Sequence, residues 1–452
     1  MEERNYEGLL LLIKAGNFIG LRTELAEMNE VDIAEFLEEL EPDVLVRVFR
    51  VLPKDISADV FSYLETETQE WIVRSITDTE VFRLVDDLYL DDVVDFLEEV
   101  PANVVSRVLR NTDPHTRKLI NTYLNYPEDS AGSIMTNEMI VLKDSYTVAH
   151  AIEHIRQNGE DMATIYTAYV TDPSRHLRGT IDLAELLFND PDALIKDIMD
   201  DDAQLIFVHT MDDQEEVAEV VKKYDLLSVP VVDKENRLVG IVTIDDVVDI
   251  IQEEATEDME KMAAIMPSDK PYLKTGIFET YKKRMPWLLI LMVSATFTGA
   301  IITSYESALA AYVVLTAYIP MLMDTGGNAG SQASVSIIRG LSLGDVAFTD
   351  IIRVIWKEIR VAALCGMTLA AANFAKLMLL DRIPVSIAAI VCMTLVMVVC
   401  IAKFIGCTLP MLADKLKLDP AVMASPLITT IVDAISLFTY FRLATTLLHI
   451  AT

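Results

Sequence analysis

The first 364 residues of this 452-residue chain contain no cysteine, and the four cysteines that follow include no C-x-x-C pair. This spacing argues against a thiolate metal site, so we expect the cysteines to be small apolar packing residues. The chain also lacks a recognisable secretion signal, because its first apolar run, residues 9–13, is short and follows acidic rather than basic residues. We therefore expect the amino terminus to stay in the cytoplasm. The nucleotide-hydrolysis motif G-x-x-x-x-G-K-S/T is absent, which argues against an ATP-driven pump.

Basic residues are scarce relative to acidic ones. The chain has 37 lysines and arginines against 70 aspartates and glutamates, a formal net charge of −33. Only nine of the acidic residues lie after Arg284, where ten basic residues balance them. The excess negative charge therefore belongs to the first part of the chain. Such an acidic surface repels nucleic acid and attracts cations, so we expect a soluble acidic region, no nucleic-acid partner, and a near-neutral apolar region after it.

Residues 1–130 are predicted to form an all-α amino-terminal domain. Apolar residues recur at helical spacing, as in Ile33, Phe36 and Leu37. The segment DIAEFLEEL at 32–40 recurs 60 residues later as DVVDFLEEV at 92–100. A repeat of helical hairpins is typical of a small superhelical stack.

Residues 131–256 combine short β-rich runs with helices. LRGTIDLAELL at 177–187 aligns with LVGIVTIDDVV at 238–248, which predicts two copies of one α/β unit. The pair resembles a tandem of CBS modules, a regulatory α/β fold that often binds adenosine nucleotides. In the first copy, Ala184 and Glu185 stand where such modules commonly have a basic residue and an aspartate. The resemblance therefore leaves ATP open as a ligand.

Residues 251–284 are predicted to form a connecting helix, interrupted near Pro267 and Pro271, that reaches the membrane surface with a basic cluster at 282–284. Residues 285–452 are predicted to hold five α-helical spans, because each apolar run can cross a bilayer core of ~30 Å. The predicted spans are 286–304, 307–338, 351–380, 383–413 and 421–448. Basic residues concentrate in the connections on one side, so the positive-inside rule places the amino terminus inside and the carboxyl terminus outside.

Polar residues inside apolar spans are costly, so each requires an explanation. Asp433 lies about three turns into the last predicted span, and Thr429 and Thr430 precede it on the same helical face. In the second predicted span, we expect the Gly326–Gly327 pair to interrupt the helix, and irregular backbone at that depth is tolerated where it lines a cavity. Asn328, Ser331 and Gln332 would supply oxygen groups there. The predicted pore residues are Asp433, Thr429, Thr430, Ser425, Asn328 and Gly327.

Two structural alternatives stay open at this point. Asp433 could be a buried aspartate paired with Arg442 or Lys403, and the glycines could serve close packing between helices.

The ligand types in the apolar region narrow the choice of ion. His449 is its only histidine, and its cysteines lack ligand spacing, which disfavours Cu(I) and Zn²⁺. Carboxylate, hydroxyl and carbonyl oxygens suit hard cations such as Mg²⁺, which gives up its water reluctantly. Mn²⁺ or Co²⁺ could pass by similar contacts.

The domain order, with GGNAGSQ at 326–332 and with Asp419, Pro426, Thr429 and Asp433, resembles the MgtE family of magnesium channels over essentially the whole chain. In that family the fifth-span aspartate forms the ion filter, two subunits enclose one central pore, and cytosolic Mg²⁺ closes it. The resemblance therefore implies a homodimer with Asp433 as its filter. It also implies metal bridges at nine acidic positions: Asp91, Asp95, Asp225, Asp246, Asp249, Glu254, Glu257, Asp258 and Asp419.

We therefore expect a multidomain membrane protein of the bacterial-type plasma (inner) membrane, with lipid around its spans, that conducts Mg²⁺ passively into the cell. A divalent cation gains ~4.6 kcal/mol on entering a cell at −100 mV, so uptake needs no fuel. Mg²⁺ would be both substrate and regulator. The alternatives are a Mn²⁺ or Co²⁺ uptake protein and a membrane-anchored nucleotide sensor without flux. An enzyme is not expected, because the sequence shows no pairing of a nucleophile with a base.

Overall fold

The computed structural model of the chain describes residues 6–54, 56–200, 205–268, 272–273, 275–423 and 425–449, and only the backbone of Asp161 and Ser425. The chain divides into two compact units, Met1–Ile251 and Gln252–Thr452.

Ten short α-helices open the first unit. They are α1 Glu7–Lys14, α2 Phe18–Leu25, α3 Glu30–Glu38, α4 Pro42–Phe49, α5 Ser57–Ser62, α6 Thr66–Ser75, α7 Asp78–Asp87, α8 Leu90–Glu99, α9 Ala102–Asn111 and α10 Pro114–Tyr123. Their starts follow capping chemistry: Thr77 and Glu80 form a capping box before α7, and Asp113 caps α10, whose first residue is Pro114.

The predicted helical repeat is confirmed. Its two copies form α3 and α8, and each is followed by a helix that starts at or just after a proline, Pro42 for α4 and Pro101 for α9. Phe36 and Phe96 occupy equivalent positions and both are buried in the apolar core of this unit.

An α/β region follows in the same unit. Its elements are β1 Met139–Lys143, α11 Val148–Asn158, β2 Thr164–Thr171, β3 Leu177–Asp182, α12 Leu183–Phe188, β4 Val208–His209, α13 Gln214–Tyr224, β5 Ser228–Val232, β6 Leu238–Thr243 and α14 Ile244–Met262. Two three-stranded sheets, β1–β2–β3 and β4–β5–β6, each combine one parallel and one antiparallel pairing in the same order.

Equivalent glycines mark the two copies. A Cβ atom on Gly179 would come within 2.3 Å of the Asp200 carbonyl oxygen, and one on Gly240 within 2.7 Å of the Thr136 carbonyl oxygen. Each strand therefore needs glycine where the backbone of a neighbouring segment crosses it. The predicted pair of α/β units is confirmed.

The second unit is helical. After the end of α14 it contains α15 Ile277–Ser304, α16 Glu306–Ala311, α17 Ile319–Ser342, α18 Ile351–Lys376, α19 Val385–Lys415 and α20 Ser425–Leu447. Short 3₁₀ segments lie at Val313–Tyr318, Phe348–Asp350 and Pro420–Met423, and a π-helical turn at Leu377–Asp381 extends α18. Helix α17 packs against α19 and α20, and α18 packs against α19.

One local prediction is wrong. Helix α17 continues through Gly326 and Gly327, which pack closely against α19 and α20, and the break in this segment lies earlier, at the 3₁₀ segment Val313–Tyr318. The connector is interrupted where it was predicted to be, because α14 ends at Met262 and α15 begins at Ile277, and the basic cluster at 282–284 lies within α15.

Four helices among the described residues are long and apolar enough to cross a membrane: Ile277–Ser304, Phe348–Asp381, Val385–Lys415 and Pro420–Leu447. Helix α17 is 24 residues long but carries the polar run DTGGNAGSQ, and it is not one of these four. The count of five spans therefore stays a prediction.

Candidate ion pathway and acidic clusters

A cavity of about 450 Å³ lies between α17 and α20. Four of the six predicted pore residues line it: Asp433, Thr429, Asn328 and Gly327. The Oδ1 atom of Asp433 is buried and has no hydrogen-bond partner among the described residues. The cavity thus gathers a carboxylate, a hydroxyl and an amide around one space.

Small residues allow α17 to approach its neighbours closely. A Cβ atom on Gly327 would lie 2.8 Å from Thr429 Cγ2, and one on Gly330 would lie 2.9 Å from Ile428 Cγ2, both on α20. A Cβ atom on Gly406 of α19 would lie 2.2 Å from the Gly330 carbonyl oxygen. Side chains at these positions would push the helices apart, so close packing is the role of these glycines.

The other predicted pore residues fall elsewhere. Thr430 donates its hydroxyl hydrogen to the Pro426 carbonyl oxygen at 2.9 Å and does not line the cavity. The side chain of Ser425 lies outside the described residues. Ser331 lines the cavity, whereas Gln332 lines a second, larger cavity of about 520 Å³ between α17, α18 and α19.

The alternative interpretation of Asp433, a buried aspartate paired with Arg442 or Lys403, is not supported by the structure. The buried Lys403 Nζ atom lies 3.4 Å from Glu358 Oε2, and this ion pair joins α19 to α18. Neither Lys403 nor Arg442 forms an ion pair with Asp433 among the described residues.

The six predicted pore residues omit one charged residue of this cavity. Asp324 lines it together with Asp433, and it also borders the larger cavity. The signal was present, because Asp324 precedes Gly327 by three residues and Asn328 by four, which places all three on one helical face.

Acidic side chains also gather in the first unit, where α8 meets α14. Burial raises the pKa of Asp91 well above its usual range, and the carboxylates of Asp92 and Asp246 add to the shift. Burial raises the pKa of Asp92 to about 7, with Asp246 the next cause. Burial raises the pKa of Asp246 to about 6, although Thr243 donates a hydrogen bond to its Oδ2 atom at 2.6 Å and opposes the shift. These carboxylates share a site that favours protons or a bound cation.

Two further predicted metal positions, Asp95 and Asp249, lie near this cluster, and a third, Asp225, lies elsewhere. The charges of Asp95 and Asp249 contribute to the raised pKa values of Asp91 and Asp246 respectively. Asp225 instead ends α13 in a left-handed conformation with φ 53°.

In the second unit, the end of α14 is linked to the loop after α19. The Lys261 Nζ atom contacts Glu257 and lies 2.7 Å from Asp419 Oδ2. The other carboxylate oxygen of Asp419 accepts a hydrogen bond from the Ala421 amide at 2.7 Å. Burial raises the pKa of Asp258, and the neighbouring Asp419 adds to the shift.

Five of the nine predicted metal positions lie in the first unit and four in the second. Among the described residues, no three histidine, cysteine, aspartate or glutamate side chains are arranged to hold a metal ion. Glu254 lies on α14, within the second unit. All nine positions stay predictions.

Known protein families and relatives match almost the whole chain. Residues 28–129 match the MgtE intracellular N domain, residues 195–253 match the CBS domain, and residues 319–443 match the MgtE divalent cation transporter family. The magnesium transporter MgtE of Thermus thermophilus is 35% identical over 453 aligned residues, which cover 99% of this chain and 100% of that protein. The chain belongs to the MgtE family. The magnesium transporter MgtE of Bacillus subtilis is 31% identical and covers 98% of this chain and 97% of its own.

MgtE cytosolic regions also share the fold of the first part of the chain. The soluble part of a magnesium transporter is 30% identical over 55% of this chain and 98% of its own, with a TM-score of 0.52. The cytosolic domain of the Mg²⁺ channel MgtE in complex with ATP is 34% identical over 54% of this chain and 98% of its own, with a TM-score of 0.51. The predicted fold classes, a helical amino-terminal domain, a CBS domain and an apolar helical region, are therefore confirmed. The MgtE transporter match also spans all six predicted pore residues.

Proposed function

We propose that this MgtE-family chain conducts Mg²⁺ passively into the cell, through a pore to which the cavity at Asp433 belongs. The observation that carries the proposal is that cavity, where the oxygen groups of Asp433, Asn328, Ser331 and Thr429 meet within the region that matches the transporter family. Carboxylate, amide and hydroxyl oxygens are ligands for hard cations. The relatives named magnesium transporters favour Mg²⁺ over other hard cations.

The size of the cavity suits an ion that keeps its water. Mg²⁺ prefers octahedral coordination and dehydrates reluctantly, and six waters occupy about 180 Å³ at ~30 Å³ each. A cavity of about 450 Å³ has room for that shell. Asp433 would then hold the ion through its waters, which requires few protein ligands.

The pore would close when cytosolic Mg²⁺ binds the acidic clusters. Two carboxylates ~4 Å apart repel by ~4 kcal/mol at an effective dielectric near 20, and a divalent ion between them reverses the sign. The raised pKa values of Asp91, Asp92 and Asp246 support such a site, because burial, together with the neighbouring carboxylates, disfavours their charged forms, and a bound cation would stabilise those forms. Cytosolic Mg²⁺ would thus act as regulator as well as substrate.

The assembly and topology belong to the same proposal. By resemblance, two copies would enclose the pore as a homodimer in the plasma membrane. The basic residues on one side of the spans support a cytoplasmic first unit and a carboxyl terminus outside.

ATP remains a candidate ligand of the CBS region. The related cytosolic domain in complex with ATP, 34% identical, supports it, whereas Ala184 and Glu185 in the first copy argue against it. Calorimetric titration of the full-length protein with ATP separates the two outcomes.

In proteoliposomes, Asp433→Ala is expected to reduce Mg²⁺ influx at least tenfold, because the pore loses a carboxylate facing the ion. A fluorescent Mg²⁺ indicator inside the vesicles measures the rate of influx, and competition with Mn²⁺ and Co²⁺ tests which ion is preferred.

The proposed closure by cytosolic Mg²⁺ is tested in inside-out patches of the unaltered protein, where channel openings should disappear as cytosolic Mg²⁺ rises.

Influx through the Asp433→Ala protein at the unaltered rate would remove Asp433 from the pathway. Thr446→Val serves as a matched control, because Thr446 lies on the same helix but donates its hydroxyl hydrogen to the Arg442 carbonyl oxygen outside the cavity.

A further inference from the structure

We infer that Asp324 is a second carboxylate of the ion pathway, which faces the same cavity as Asp433 and shares with it the binding of a hydrated divalent cation. The inference rests on the proposed function, since it adds a residue to the pore proposed there.

Asp324 lies on the face of α17 that borders the cavity. Gly327, Asn328 and Ser331 come three, four and seven residues after Asp324, and all four line the cavity of about 450 Å³. Side chains at these spacings lie on one side of a helix. Asp324 therefore belongs to the polar face that borders the cavity.

The relative direction of α17 and α20 sets the level at which the two carboxylates lie. Gly327 packs against Thr429, and Gly330 packs against Ile428, so α17 and α20 run in opposite directions at this contact. From the contact of Gly327 with Thr429, one helical turn in the same direction leads to Asp324 on α17 and to Asp433 on α20. The two carboxylates thus lie at about the same level along the helices.

The distribution of charge also sets Asp324 and Asp433 apart. Glu358 is paired with Lys403, and Asp381 lies 3.1 Å from Lys376. Among the described residues, neither Asp324 nor Asp433 forms an ion pair with a cationic side chain. Carboxylates in membrane helices are costly, face the bundle interior or a water-filled cavity, and mark ion pathways. A cation passing through the cavity would supply the missing positive charge.

The pair of carboxylates has a consequence for selectivity. At equal distance and dielectric, the attraction between a carboxylate and Mg²⁺ is twice its attraction to K⁺. Two carboxylates per chain at one level therefore favour a divalent ion more strongly than one. Removal of Asp324 should change the preference between ions as well as the rate.

The test uses the full-length protein in proteoliposomes and in planar bilayers. Asp324→Asn is expected to lower Mg²⁺ influx at least about fivefold and to shift the reversal potential, with Mg²⁺ on one side and K⁺ on the other, toward that of K⁺. Thr325→Val is the matched control, because Thr325 is the next residue and lines only the larger cavity. It should leave both quantities unchanged.

Influx and reversal potential of Asp324→Asn equal to those of the unaltered protein would overturn the inference. If Asp324→Asn does not fold, Asp324→Glu tests the inference instead. This variant moves the carboxylate by one methylene group, so the half-saturating Mg²⁺ concentration must change if the carboxylate touches the ion's water shell. An unchanged half-saturation would then overturn the inference.

Different results would refute the proposed function and this inference. Loss of influx in Asp433→Ala with normal behaviour of Asp324→Asn would refute only the inference, whereas normal influx in Asp433→Ala would refute the proposed filter.

Discussion

The ammonium group of Lys261 lies between two carboxylates, at a position where the proposed regulation would place Mg²⁺. This group contacts Glu257 and Asp419, both predicted metal positions. Burial alone would lower the pKa of Lys261, but hydrogen bonds to Asp419 and Glu257 outweigh it and raise the pKa above its usual range. The side chain therefore stays protonated, and Mg²⁺ must displace a tethered cation to bind there.

We predict that Lys261→Met lowers the cytosolic Mg²⁺ concentration that closes the pore. Removing one positive charge from beside a divalent ion gains about 1 kcal/mol after screening, which is a ~fivefold change in affinity. Inside-out patch recording with stepped cytosolic Mg²⁺ measures the half-closing concentration.

Lys283→Met is the control for this measurement. Lys283 lies 4.0 Å from Glu279, four residues earlier in its helix, and neither residue is a predicted metal position. A half-closing concentration that rises in Lys261→Met would mean that the lysine latches the helix instead of competing with Mg²⁺.

At the scale of helices, the candidate pore depends on how closely α17, α19 and α20 approach. Gly330 and Gly406 bring two backbones together, since even a methyl group on Gly406 would meet a carbonyl oxygen at 2.2 Å. Backbone cannot move aside as a flexible side chain can, so the contact tolerates only glycine.

We predict that Gly406→Ala lowers the unfolding temperature of the detergent-solubilised protein by several degrees. Overpacking of this kind costs typically ~1–3 kcal/mol. Gly299→Ala is the control, because that helical glycine has nothing within 4 Å of an added Cβ and alanine favours the helix by up to ~1 kcal/mol. Equal unfolding temperatures for the two variants would show that the helices are not in close contact at Gly406.

At the scale of the whole molecule, negative charge is concentrated in the cytosolic part and must be balanced there by protons or metal. The carboxylates of Asp92 and Asp246 have pKa values raised to about 7 and about 6. Between pH 4 and pH 7 the folded state therefore binds more protons than the unfolded state. Folding stability then falls as pH rises through this range, and it levels off above pH 7.

We predict that the full-length protein without Mg²⁺ unfolds at a lower temperature at pH 8 than at pH 5.5. Added Mg²⁺ should raise the unfolding temperature more at pH 8, where the carboxylates are ionised. Asp92→Asn should flatten the pH dependence, whereas the exposed Asp192→Asn should not. A pH dependence that is unchanged in Asp92→Asn would show that the acidic cluster is not its source.

Local patterns along the chain were enough to predict the order of the domains and the fold class of each. The spacing of apolar residues and the length of a repeat are local properties of a sequence. They therefore predicted the helical copies at 32–40 and 92–100 and the strand–helix pair around Gly240. The kinds of ligand were equally predictable, because a carboxylate such as Asp433 in an apolar segment stands out without any knowledge of its neighbours.

Which side chains come into contact could not be predicted from such local patterns. Gly326 and Gly327 were expected to break α17, but their effect depends on the helices beside them, and contact with α20 keeps the helix continuous. The pairing of Lys403 with Glu358, 45 residues apart, and the approach of Asp324 to the cavity of Asp433 depend on helix packing in the same way. Packing between distant segments sets these contacts, and no local pattern in the chain encodes it.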